Sequence, residues 1–284
     1  MPAQSNLLAR VGRASPPTFR YLMQTEVHVF AFSIAAGMLL SFFPFMTLIL
    51  SLCRYVFKWK ASVNAIYFAV GDYFPDAFGQ FLRRNLEATV ESRGPVQIVS
   101  LVFLFFTASG IFEPLEVALN RAWACERNRS YLKNQVLSLG LMFACGALML
   151  LSITLTALNN QYLGAAARQP LSTAANLIGQ LFFKLAAIPT SMLLLFLIYW
   201  LVPNCRVPAV KIIPPAIIVG FLLELLKYVD LLSWPYLRMK LALEYGPFVY
   251  SVTILLWGFL AAMLVLAGAE WTARRSRVEP EPAE

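Results

Sequence analysis

Apolar residues run through this chain in long blocks, separated by short stretches rich in charge, proline and polar side chains. The first block, VHVFAFSIAAGMLLSFFPFMTLILSLCRYVF, covers 27–57, and five more follow at 96–112, 136–158, 177–202, 209–229 and 248–271. Inside a block the apolar residues occupy every face of a helix, the pattern of a segment that meets no water on any side. A helix needs about 20 such residues to cross hydrocarbon, so the pattern predicts six transmembrane helices. The first block is longer than required and must tilt, bend at Pro44 or project beyond the bilayer. Alternating ten-residue segments do not recur, which argues against a β-barrel. The predicted fold is all-α and polytopic.

The polar stretches organise the rest. Residues 1–26 form a basic tail and 272–284 a second tail with the composition of a disordered segment. No cleavable signal pattern precedes the first block, so the expectation is a protein inserted by its own first helix and kept whole. Between the first two blocks, KASVNAIYFAVGDYFPDAFGQFLRRNLEATVESRG places aromatics among charges and reads as two amphipathic helices broken at Pro75. A membrane-hugging linker is the expectation there, and a lid over a cavity the alternative.

Composition agrees with the pattern. The chain is 59% hydrophobic and 13% charged, against about 25% charged in soluble domains. Its net charge of +8 is spread over the loops and not gathered on one face, which favours an anionic membrane surface over nucleic acid as partner. About 12 Lys and Arg fall on the side of the two tails and about eight on the other. That asymmetry predicts cytoplasmic termini. Cys53, Cys125, Cys145 and Cys205 show neither metal-ligand nor disulfide-framework spacing and read as small apolar filler.

Charged residues inside spans are costly and face a cavity or a partner. Lys184 and Glu224 both fall in the outer part of their blocks and could line one polar pocket with Lys227; Lys184 could equally snorkel, and Glu224 could pair with Lys227 three residues on. Glu270 closes the last block beside Trp271 and the basic tail. In TASGIFEPLEVALNRAW (107–123), Ser109 and Gly110 end the second span, and Glu113 with Pro114 opens a short interfacial helix. Glu113, Glu116, Asn120 and Trp123 share one face of it, with Trp123 as anchor and Arg121, Arg127 and Arg129 toward lipid phosphates. With Arg274 and Arg275 these arginines form a predicted basic rim for anionic phospholipid. Gly140/Ala144 and Gly258/Ala262 are spaced for close helix contacts.

Three of these stretches together resemble the YihY/BrkB family of bacterial inner-membrane proteins. FAFSIAAGMLLSFFPFMTLILSL matches its first-span signature at Ser41 and Pro44, and 107–123 matches at Ser109, Gly110, Asn120 and Trp123. YGPFVYSVTILLWGFLAAMLVLAGAEW is similar to its closing motif at Tyr245, Gly246, Leu256, Trp257, Gly268, Ala269 and Glu270, with departures at Pro247 and Gly258. The resemblance implies six transmembrane helices in the inner membrane. It also brings the labels "ribonuclease BN" and "serum-resistance protein", which describe no agreed activity.

A metal-dependent nuclease gathers His and Asp ligands around its ions, and this chain has one histidine, His28. No phosphate-binding loop, zinc-protease motif or nucleophile elbow is present either. The expectation is a non-enzymatic protein without metal or cofactor that handles a lipid or other envelope component, with the possibility of homo-oligomers. The alternative is an assembly partner of an envelope complex without transport activity.

Overall fold

The computed structural model describes residues 17–73, 76–92, 95–125, 130–166, 189, 192–205 and 207–278. The elements described are helical, and no strand occurs among the described residues. They are α1 (Pro17–Leu22), α2 (Thr25–Ser51, leaving through a wide turn at Leu52–Val56), α3 (Lys60–Tyr73) and α4 (Asp76–Glu91). Then come α5 (Pro95–Trp123), α6 (Tyr131–Ala166), α7 (Met192–Leu201), α8 (Ala209–Tyr245) and α9 (Val249–Val278).

Three stretches have the length and apolarity to cross a bilayer: Thr25–Val56, Ala209–Asp230 and Val249–Arg274. Leu132–Leu148 and Met192–Leu201 are apolar but shorter. The all-helical membrane architecture is therefore as expected, while the count of spans supported this way is three. The first half of the fourth predicted block, with Lys184, lies outside the described residues.

The helices pack at their small residues. Glu26 faces Arg121 at one end of the α2–α5 pair, and Gly37 meets Gly110 the same number of residues further along each helix. The two helices are thus antiparallel. A Cβ on Gly37 would lie 2.6 Å from the Gly110 carbonyl carbon and oxygen, so they cross backbone on backbone. Gly258 rests on Ala35 of α2, where a Cβ would lie 3.3 Å from the alanine's, and Gly268 of α9 takes Tyr199 and Val219. Gly140, expected at an interface, has nothing within 4 Å of its Cβ position.

Several helix ends differ from the sequence expectation. Pro114 does not open a new helix: α5 runs unbroken through it to Trp123. Proline costs the helix one N–H bond and a clash with the residue four back. That residue is Gly110, which has no side chain to add to the crowding. Likewise α8 continues well past 229, through Pro235 to Tyr245, giving about 55 Å at 1.5 Å per residue. It stops at Gly246, whose φ of 51° suits glycine and costs other residues energy. The second tail is helical as far as Val278, with Thr272 and Ala273 buried.

One edge of the bundle carries α1, the start of α2 and the ends of α5 and α9; we call it the near edge. The main core lies between α2, α5, α7, α8 and α9, around Ile34, Leu119, Leu195, Tyr199, Ile212 and Leu266. At the far edge α3 and α4 do not merely lie along a membrane surface. They close a second core with α2, in which Leu50, Cys53, Ile66, Leu86 and Val90 are buried.

Candidate functional site

The near edge concentrates the buried polar chemistry. Glu116 and Asn120 stand one helical turn apart on α5, and both are more than nine-tenths buried. Hydropathy places such residues at a surface, so the expected interfacial face of 113–123 is corrected: its two central members point into the bundle. They are met by Asn204, in the segment that follows α7. The Asn204 backbone N–H donates to Asn120 Oδ1 at 2.7 Å, and Asn204 Nδ2 donates to Glu116 Oε1 at 2.7 Å. One asparagine thus satisfies two buried acceptors on another helix. A buried acceptor left unpaired costs about 1–3 kcal/mol, which is why the grip fixes the path of the chain.

The same two segments are joined covalently. Cys125 and Cys205 form a disulfide across 80 residues of sequence, with Cα atoms 5.5 Å apart. The reading of these two cysteines as apolar filler is overturned: the fold brings together residues whose sequence spacing carries no signal. Cys53 and Cys145 are free thiols, Cys53 fully buried. The end of α5 delivers Cys125 through a defined turn. Its N–H bonds to the Asn120 carbonyl at 2.8 Å, Ala124 N–H bonds to the Arg121 carbonyl at 3.2 Å, and Ala124 takes φ 54°. This is the pattern by which glycine usually ends a helix, here carried by alanine.

Around this core the expected basic rim is matched with acids. Arg121 pairs with Glu26. Arg274 forks onto both carboxylate oxygens of Glu270, one turn back on α9, and reaches Thr18 of α1 at 3.2 Å. These two arginines therefore join helices to one another, and are not simply free for lipid phosphate. Arg127, Arg129 and the Arg275 side chain lie outside the described residues. Tyr21 sits beside both pairs: burial, then the Glu270 carboxylate, push its hydroxyl up to about 12, with Arg121 acting in the opposite sense. His28 lies at the same edge, its Nε2 2.7 Å from the Leu22 carbonyl and its ring edge-on to Phe259.

Most of the remaining family-motif residues lie in helix interiors, helix crossings and helix ends. Ser41 and Pro44 are buried in α2, Gly110 makes the α2 crossing, and Gly268 receives Tyr199, whose hydroxyl donates to the Val265 carbonyl at 2.7 Å. Tyr245 and Gly246 end α8. Trp123 and Trp257 keep their indole N–H groups buried without a hydrogen-bond partner among the described residues. The Ser109 side chain lies outside the described residues.

Of the predicted in-span charges, Glu224 and Lys227 meet: Nζ donates to Oε2 at 3.0 Å along one face of α8. Glu224 is only 8% exposed, while the Lys227 side chain is 54% exposed. Sequence reasoning found this pair from its spacing and found the Glu116/Asn120 face. It missed Asn204 and the disulfide, whose partners are remote in sequence.

Among known proteins, the family described as Virulence factor BrkB matches residues 18–284. The chain is 27% identical over 248 residues to a UPF0761 membrane protein of Chromohalobacter salexigens, covering 83% of this chain and 57% of that one. It is 27% identical over 275 residues to one of Laribacter hongkongensis, covering 95% and 63%. A third, from Vibrio atlanticus, is 28% identical over 270 residues, covering 89% and 80%. The chain spans about half the length of the first of these curated relatives and matches no solved structure. A match over residues 18–284 means that the chain belongs to the Virulence factor BrkB family of membrane proteins.

Proposed function

We propose that this membrane protein handles a lipid or another amphipathic component of the bacterial envelope, as a transporter, flippase-like scaffold or regulator in the inner membrane, with both chain ends cytoplasmic. The observation that carries the reading is Glu224, a buried carboxylate inside the spanning stretch Ala209–Asp230. Acids are rare in such stretches because hydrocarbon penalises the charge, and those retained mark a cavity, a partner or a path. Lys227 supplies a cation beside it, and its exposed ammonium offers an anionic head group a contact at the bundle surface. No covalent step or cofactor is needed for this role. His28, engaged with Leu22 and Phe259, supports a reading without nuclease chemistry.

The test is lipid retention. Protein released from nanodiscs for native mass spectrometry is expected to keep a bound amphiphile that Glu224→Gln loses. Equal retention by both proteins would count against a binding role for Glu224.

Self-association of the chain draws on a different observation. On the far half of α8, Leu232, Tyr236, Met239 and Leu243 recur at the spacing of a helix-pairing seam, and all four are exposed. A second copy of this chain, laid along that seam, is the occupant this reading predicts. A monomeric mass in nanodiscs would remove it.

A further inference from the structure

We propose that Cys125 and Cys205 are a reversible thiol–disulfide couple, a redox-modification site that locks the chain after α7 onto the end of α5. The fold around the two sulfurs sets their positions independently of the bond between them. Cys125 is the residue on which the helix-ending turn of α5 closes, through its N–H to the Asn120 carbonyl. Cys205 follows Asn204, which is fixed by two hydrogen bonds to Asn120 and Glu116 on that same helix. These anchors hold the Cα atoms 5.5 Å apart, within the range a disulfide accepts, and they keep two thiols adjacent after reduction. Both residues are partly exposed, so a small reagent can reach them, whereas Cys53 is buried.

The second line of argument is the compartment. The inference rests on the orientation proposed above, in which the near edge, with both chain ends, faces the cytoplasm. Cytoplasmic thiols are kept reduced, and disulfides found there are transient, catalytic or sensing. A pre-aligned, accessible pair at that edge has the properties of such a couple. The oxidant class is a low-molecular-weight disulfide of the glutathione type. One protein thiolate attacks a sulfur of that disulfide and expels one small thiolate. The second protein thiolate then attacks the protein-borne sulfur and expels the other. Two protein thiols become one disulfide, the small disulfide becomes two thiols that take up the two protons, and excess small thiol reverses the exchange. In the oxidised form Asn204 is held on Glu116 by a covalent bond next door. In the reduced form only its hydrogen bonds hold it, and the link between α7 and α8 gains freedom.

The experiment uses the full chain with Cys53→Ala and Cys145→Ala, so that only the pair is counted. Growing cells are acid-quenched and treated with a mass-tagged maleimide. The expected result is two tags per chain, none after inside-out vesicles meet glutathione disulfide, and two again after dithiothreitol. Membrane-impermeant maleimide should label the reduced pair in inside-out vesicles and not in right-side-out ones. Amide exchange at Asn204 should be on the order of tenfold faster in the reduced protein. A pair already oxidised in growing cells and reduced by an impermeant phosphine from outside would overturn the proposal, and with it the orientation. Two tags that persist through the oxidant would overturn the couple alone. Equal amide exchange in both forms would overturn the lock.

Discussion

At the near edge, Glu116, Asn120 and Asn204 are held by hydrogen bonds between segments far apart in sequence, with a disulfide beside them. At the far edge, α3 and α4 close on α2 through Leu50, Ile66, Leu86 and Val90. There Arg54 pairs with Glu91 at 3.0 Å, and the Tyr55 hydroxyl donates to the Val90 carbonyl at 2.8 Å. Apolar burial supplies stability without fixing register closely, because dispersion and hydrophobic contacts are non-directional. Buried hydrogen bonds contribute less net stability, but misplacing them is costly, so they select one arrangement. The far edge is therefore a packed platform and the near edge a junction with a specified geometry.

The contrast is broken most strongly by opening the disulfide. In oxidised, purified protein, dithiothreitol should lower stability by up to about 4.5 kcal/mol, the chain-entropy figure for a loop of 80 residues. Thermal melting with and without reductant measures this, and Cys125→Ser should be insensitive to the reagent. At the far edge, Leu86→Ala removes a fully buried side chain, with an expected loss of about 2–5 kcal/mol. That loss should leave the disulfide intact, as maleimide counting will show.

Smaller effects sharpen the comparison. Asn204→Ala and Glu116→Ala are each expected to cost about 1–3 kcal/mol, and the double variant less than their sum, since the two share one bond. Melting of the four proteins in the same detergent gives the coupling; strict additivity would mean the junction is not specified by that contact. Alkaline pH gives the least effect. The Tyr21 hydroxyl is raised to about 12, so the neutral phenol is favoured in the folded protein. The stability this provides is complete below its ordinary value near 10 and is lost as pH rises through 12. Two units correspond to at most about 2–3 kcal/mol, less for the part of the ring that stays wet. Tyr21→Phe should flatten the fall in melting temperature between those pH values.

The parts legible in the sequence were those governed by local pattern. All-face apolar blocks announce helices in hydrocarbon, and the spacing of Glu224 and Lys227 announces a pair on one helix face. Glu116 and Asn120 were legible as neighbours, but not as buried, because a polar residue at the end of an apolar run is read as surface until its partner is known. That partner, Asn204, lies more than eighty residues away, and nothing near it marks its role. Cys125 and Cys205 were missed for the same reason. The helix ends near Pro114 and Tyr245 were not legible, because an apolar run stops where polar residues begin, whereas α5 and α8 continue through Pro114 and Pro235. Gly258 reads as a departure from the family pattern until Ala35 is seen against it.

The central functional claim is that the buried in-span acid serves the passage or holding of an amphiphile. Translocation in proteoliposomes tests it most directly: vesicles carrying a head-group-labelled phospholipid are scored by dithionite quenching of the label left in the outer leaflet. Protein-dependent movement of the label is expected, and Glu224→Gln should abolish it while melting temperature and helix content are retained. Movement no faster than in protein-free vesicles, or movement unaffected by Glu224→Gln, would contradict it.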